Sequence, residues 1–157
     1  MKTLTVTLFM ALIAILLSWQ ACSANEKSNV TLVKYKVENI EMNFPLGVSV
    51  SEETPVDDFT ICTYHYKGNV IMKAYIGNNP SFPNNKLLRN KGIKTTINTF
   101  SAETISWQEG NNFNREILIN LRKKGWPMFI HFYYLKQTSS MAIIDDRIID
   151  SVQYKPN

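Results

Sequence analysis

The side chains able to do chemistry in this chain are few and far apart. There are two histidines, His65 and His131, and two cysteines, Cys22 and Cys62. A zinc site gathers three or four ligands, and none of the local spacings that supply them (CxxC, HxH, HExxH) occurs. No metal is therefore expected. No cofactor is expected either, because the chain has no phosphate loop, no dinucleotide fingerprint and no GxSxG elbow. The sharpest catalytic idea is a thiolate formed by Cys62 with a histidine, as in a small periplasmic hydrolase or thiol enzyme. Cys62 and His65 stand three apart in "FTICTYHY", which reads as a strand, and successive strand side chains alternate faces. They point to opposite sides, so only His131, arriving from another strand, is left to serve Cys62. In that apolar run Cys62 reads more simply as a small buried hydrophobe. The neighbouring acids Asp57 and Asp58 diverge for the same geometric reason. The expectation is a protein without catalytic residues.

Binding is the remaining option, and "YIGNNPSFP" is the first place to look. Gly77 is free to take a positive φ and leave a strand. Pro80 and Pro83 hold the residues before them, Asn79 and Phe82, in extended conformations. Phe82 is thus presented between two prolines and flanked by the amides of Asn78 and Asn79. A stiff loop of this kind loses little entropy on binding. The plainer alternative has Phe82 folding back as a plug over the sheet while the prolines only end the strand, and buried Phe is the commoner fate. The loop is read as structural first and as a contact surface second. Trp126, in "KKGWP" between two apolar runs, is read the same way.

Those residues must be positioned by strands. Val33, Tyr35 and Val37 alternate with Lys34, Lys36 and Glu38, the period of a half-buried strand. "NFPLGVSV" reads as a short strand interrupted by Pro45 and Gly47. Phe59–Tyr66 and Val70–Ile76 flank Lys67-Gly68-Asn69 and predict a hairpin. Strands over 93–100 and 103–108 precede the turn at Glu109-Gly110-Asn111-Asn112, and 115–121 and 128–135 follow it. "MFIHFYYL" is apolar on both sides and predicts a central strand covered on both faces. Met141, Ile144, Ile148 and Val152 then recur at helical spacing, with Thr138, Ser139 and Ser140 as N-caps. Asp145 falls inside the apolar stripe of that helix and is expected to reach water at its edge, since a buried carboxylate is costly unless paired. The fold class expected is α+β: an antiparallel β-sheet of about six to eight strands with a C-terminal helix packed on one face.

The amino terminus points to export. Lys2 is followed by the unbroken apolar run Leu8–Leu17 and by the small residues Ala21, Cys22, Ser23 and Ala24. A membrane-spanning helix needs about 20 apolar residues, and this run is too short; its pattern is that of a secretory signal peptide. Cleavage after Ala24 divides the chain into a signal peptide, residues 1–24, and a single α+β domain, residues 25–157, placed in the periplasm or secreted. The segment also resembles a bacterial lipoprotein signal in which Cys22 is lipidated, which would make the product a lipid-anchored envelope protein; only then is a membrane a partner.

Seventeen Lys and Arg against 13 Asp and Glu give a net charge of +4, too mild for a nucleic-acid partner. Two cysteines make no disulfide framework. The succession of "NFPLGVSV", antiparallel strands and the closing "MAIIDDRIIDSV" resembles PsbP/Mog1-like domains, and "YIGNNPSFP" and "GWPMFIHFYY" are similar to small uncharacterised exported bacterial proteins. In the PsbP/Mog1-like pattern a Trp usually follows the early Pro-x-Gly; here the residue is Val48. The resemblance implies a non-catalytic accessory protein that binds other proteins, and carries no catalytic residue onto this chain. The partner expected is an exported or envelope protein, as for an immunity or inhibitor-type protein.

Overall fold

The computed structural model describes residues 31–155, apart from 38, 57, 85–87, 89–90 and 122–124. The expected signal peptide and Cys22 lie outside the described residues, as do Asp57 and most of the basic residues at 86–94 and 122–124. The described strands are β1 (Leu32–Val37), β2 (Ile40–Pro45), β3 (Val48–Val56), β4 (Phe59–Tyr66), β5 (Asn69–Gly77), β6 (Ile93–Ile97), β7 (Phe100–Glu109), β8 (Asn112–Asn120) and β9 (Phe129–Gln137). The helix α1 (Ser139–Asp150) and the short β10 (Gln153–Tyr154) close the chain.

The strands form two antiparallel sheets, one of three strands in the order β1-β2-β10 and one of seven in the order β3-β4-β5-β9-β8-β7-β6. The expected α+β class, with a single sheet, is overturned. Among the described residues the fold is mostly β, with one 12-residue helix. The reason lies in "NFPLGVSV", which is not one strand. β2 ends at Pro45, Gly47 turns with φ 93°, and Val48 begins β3 in the other sheet. That φ suits glycine, which has no Cβ to clash. The apparent interruptions of a strand are the crossing between two sheets.

Elsewhere local chemistry sets the turns. Lys67 (φ 50°) and Gly68 (φ 78°) both take left-handed conformations between β4 and β5, as a two-residue hairpin turn requires. β6 and β7 meet at Asn98 (φ 52°), earlier than the break expected after Phe100. β9 is the middle strand of the seven, with Ile130, Phe132 and Tyr134 buried on one face and His131 buried on the other.

The core lies between the two sheets. Its aromatic rings step from the small sheet to the large one: Tyr35 against Phe44 at 5.2 Å between centroids, Phe44 edge-on to Tyr64 at 5.4 Å, and Tyr64 near Phe132 at 6.5 Å. Cys62, Ala74, Ile76, Ile117, Ile119 and Ile130 complete the large sheet's contribution. Helix α1 packs on β2 of the small sheet and on β5, β8 and β9 of the large one. Thr138 is its N-cap, its Oγ1 accepting from Met141 N at 3.4 Å. The helix stops at Asp150 rather than running on through Val152. Ser151 Oγ donates to Ile148 O at 2.7 Å and accepts from Asn43 N at 2.8 Å, tying the helix end to β2, and β10 then pairs with β2.

Asp145 also departs from expectation. It does not reach water: it is 0% exposed, and neither carboxyl oxygen has a hydrogen-bond partner. The nearby cation goes elsewhere, since Arg115 Nη1 meets Asp146 Oδ1 at 2.6 Å and Tyr134 Oη donates to the same oxygen at 3.3 Å. Burial, and then the Asp146 charge, push the Asp145 pKa up to about 8.

Candidate functional site

Pairing register sorts the large sheet into two faces, because directly opposed residues share a side. Cys62 opposes Ala74 and Ala74 opposes Phe132, all on the core face. Tyr75 opposes His131, and His131 opposes Leu118, on the outer face. The chain from Gly77 to Asn84 is tied to this outer face at several points.

His131 and Glu116 are the anchor. Glu116 opposes Tyr133, so its carboxylate reaches diagonally along the face to His131, with Nε2 and Oε2 3.0 Å apart. The two side chains are 2% and 1% exposed. The same Oε2 accepts from the backbone N–H of Asn84 at 2.8 Å, so it is an acceptor there and His131 Nε2–H donates to it. Phe82 meets the imidazole edge-on, with centroids 5.3 Å apart and planes at 90°, and Tyr133 lies 5.4 Å away, tilted. Burial, then the Glu116 charge, raises the Tyr133 phenol above its ordinary range.

Three further ties hold the same end of the sheet. Asn78 Oδ1 accepts from Met128 N at 2.9 Å, Asn79 N donates to Tyr75 Oη at 3.1 Å, and Trp126 Nε1 donates to Asp58 O at 2.8 Å. Gly77 is needed here for closeness and not for a positive φ. A Cβ on it would stand 2.9 Å from both Asp58 O and Phe59 Cβ, and 2.7 Å from Tyr75 Oη.

Of the four residues expected to bind, Asn78, Phe82 and Trp126 are therefore held by contacts within the chain. Asn79 is bound through its backbone and its side chain is exposed, as is Ser81. The residues missed are Glu116 and Tyr75. Glu116 was detectable as a single acid in the apolar run "EILI", at a position that alternation turns toward the side of His131. The role of the Asp58 carbonyl has no sequence signal, because it is a backbone atom.

The arrangement is poor at catalysis. Cys62 and His131 face opposite sides of the sheet, with β5 between their strands. Burial, then Glu52, pushes the Cys62 thiol up to about 12, the reverse of what a nucleophile needs. His131 is covered by Phe82 and occupied by Glu116. Among the described residues no group of three or more His, Cys, Asp or Glu side chains is placed to hold a metal ion.

No family model matches the chain, and no curated protein matches it. Solved structures do resemble it at a distance. One from Bacteroides thetaiotaomicron VPI-5482 is 12% identical, with a TM-score of 0.45. The alignment covers 76% of this chain but 46% of the other, so this chain spans less than half of that protein. No helix among the described residues is long and apolar enough to cross a membrane.

Proposed function

We propose that this is an exported, non-catalytic binding module that contacts another envelope protein through the loop cluster formed by Gly77–Asn84, Trp126 and Asp58. The observation that carries the reading is the tethering of the loop. Contacts to Glu116, Met128 and Tyr75 pin it on either side of Asn79 and Ser81, whose side chains remain exposed. A pre-ordered loop spends little of its binding energy on immobilisation. The accessory role implied by the PsbP/Mog1-like resemblance agrees with it, as does an immunity or inhibitor-type protein acting in the periplasm after removal of residues 1–24. The thiol-enzyme alternative loses its support, since Cys62 and His131 stand on opposite faces.

The test is mild crosslinking in the native host followed by affinity purification of the C-terminally tagged protein. One stoichiometric exported partner is expected, lost on Asn79→Arg, a change that leaves the Asn79 backbone bond to Tyr75 intact. Purification without any partner, or a partner indifferent to Asn79→Arg, would sink this assignment.

A further inference from the structure

Beside the pinned loop, on the same outer face, an open cleft of about 340 Å³ lies between β7, β8 and the end of β9. Its lining includes Trp107, Glu109, Asn114, Glu116, Leu135 and Lys136. That volume is within the range of small-molecule sites, roughly 300–1,000 Å³.

Asn114 is the decisive residue. It sits where the β8–β9 register breaks, between the Phe113↔Gln137 and Arg115↔Tyr134 pairs, so Leu135 and Lys136 bulge opposite it. Lys136 takes a left-handed φ of 58°, and its backbone N–H donates to Asn114 Oδ1 at 2.9 Å. That bond fixes which end of the amide is oxygen, because a flipped amide would set two donors against each other. The side chain is 2% exposed, and its Nδ2 has no partner. A buried donor without an acceptor is costly, and natural folds seldom keep one idle.

The rest of the cleft says what kind of acceptor it waits for. Trp107 opposes Asn114 across the strands and shares its face. Its Nε1 donates to Glu109 Oε1 at 3.1 Å, which steadies the indole. Leu135, 51% exposed, adds a second apolar wall. The charged groups are of both signs, Glu109 and Glu116 against Lys136, which favours no ion. Aromatic and aliphatic walls with a few fixed polar groups suit a ligand that is apolar on its ring face and polar at its edge. We infer that this cleft binds a neutral sugar ring, stacked on Trp107, with a ring or hydroxyl oxygen accepting from Asn114 Nδ2. The cleft borders the loop contact proposed above, with Asn84 and Glu116 among its lining, but its stacking and donor groups, Trp107 and Asn114, lie outside that loop and the inference does not depend on the loop reading.

Isothermal titration of the purified protein with three neutral oligosaccharides, cellotriose, maltotriose and N,N′,N″-triacetylchitotriose, tests this. Saturable binding of at least one is expected. Asn114→Asp keeps the acceptor for Lys136 N–H and turns the Nδ2 donor into an acceptor, so affinity should fall roughly tenfold or more. Trp107→Ala should weaken it comparably, and Asn79→Arg should leave it unchanged. If Asn114→Asp lowers the melting temperature too far for titration, Trp107→Ala decides alone. Absence of binding to all three sugars, or binding unmoved by these cleft variants, overturns the assignment and leaves Asn114 Nδ2 as a water-bonded donor.

Discussion

His131 Nε2 and Glu116 Oε2 stand 3.0 Å apart on the outer face of the large sheet, both nearly closed to solvent, and the same oxygen holds Asn84 N–H. Removing one member of a buried pair strands the other. Glu116→Leu should therefore cost about 3–5 kcal/mol in urea unfolding, and His131→Leu a comparable amount. Replacing both with Leu and Phe should recover much of that loss, because neither buried charge nor imidazole is then stranded and the Asn84 N–H belongs to an exposed residue. Non-recovery in the double variant would mean that Asn84 depends on the carboxylate more than His131 does.

Asp145 gives stability a pH dependence of definite sign. Its folded pKa, about 8, lies above the ordinary 3.8. The folded chain thus holds a proton that the unfolded chain has released. That contribution is complete below about pH 4, declines as pH rises between the two values, and is gone above about pH 8, amounting to a few kcal/mol by linkage. Asp145→Asn should flatten this segment of the stability curve and raise the melting temperature at pH 8 to 9. A wild-type curve that rises across that window would contradict the burial of this carboxyl group.

Cys62 should be chemically silent. Its thiol is buried and pushed up to about 12. Native protein is expected to react with a disulfide reagent only at the rate of unfolding, and fully in denaturant. Fast native labelling at Cys62, located by mass spectrometry, would reopen the thiol-enzyme idea.

Gly77→Ala tests the crowding around Asp58. The new methyl would meet the Asp58 carbonyl oxygen and Phe59 Cβ, neither of which can swing aside, as well as the Tyr75 hydroxyl. Overpacking of this kind costs roughly 1–3 kcal/mol. The change should also loosen the neighbouring Asn78–Met128 and Trp126–Asp58 ties, seen as faster hydrogen exchange at Met128 N–H and the Trp126 indole. A neutral Gly77→Ala would show that the loop end has more room than these distances allow.

The hairpin β4–β5, the two-faced strand β9 and the Thr138 cap were legible in the sequence, because each rests on neighbours in the chain. Alternation and turn residues act over a few positions, and these segments obey them. Asp145 and "NFPLGVSV" were misread for one shared reason. Whether a carboxyl group at the margin of a helical stripe meets water depends on what covers that margin. Whether Pro-x-Gly interrupts a strand or ends it depends on which sheet receives the next residue. Neither fact is local.

The sequence by itself determined that the described part of the chain is built from strands followed by one helix, that Cys62 and His65 take alternating positions on one strand, and that "GNNPSFPN" leaves the regular ladder. These follow from side-chain period and backbone restriction. Only the tertiary structure decided that the strands divide between two sheets, that α1 packs against both of them, that Glu116 crosses diagonally to His131 under Phe82, and that Asn114 is left with an unused donor beside Trp107. Those outcomes depend on register and on contacts between residues far apart in the chain, and a one-residue slip of a strand would send each of these side chains to the other face.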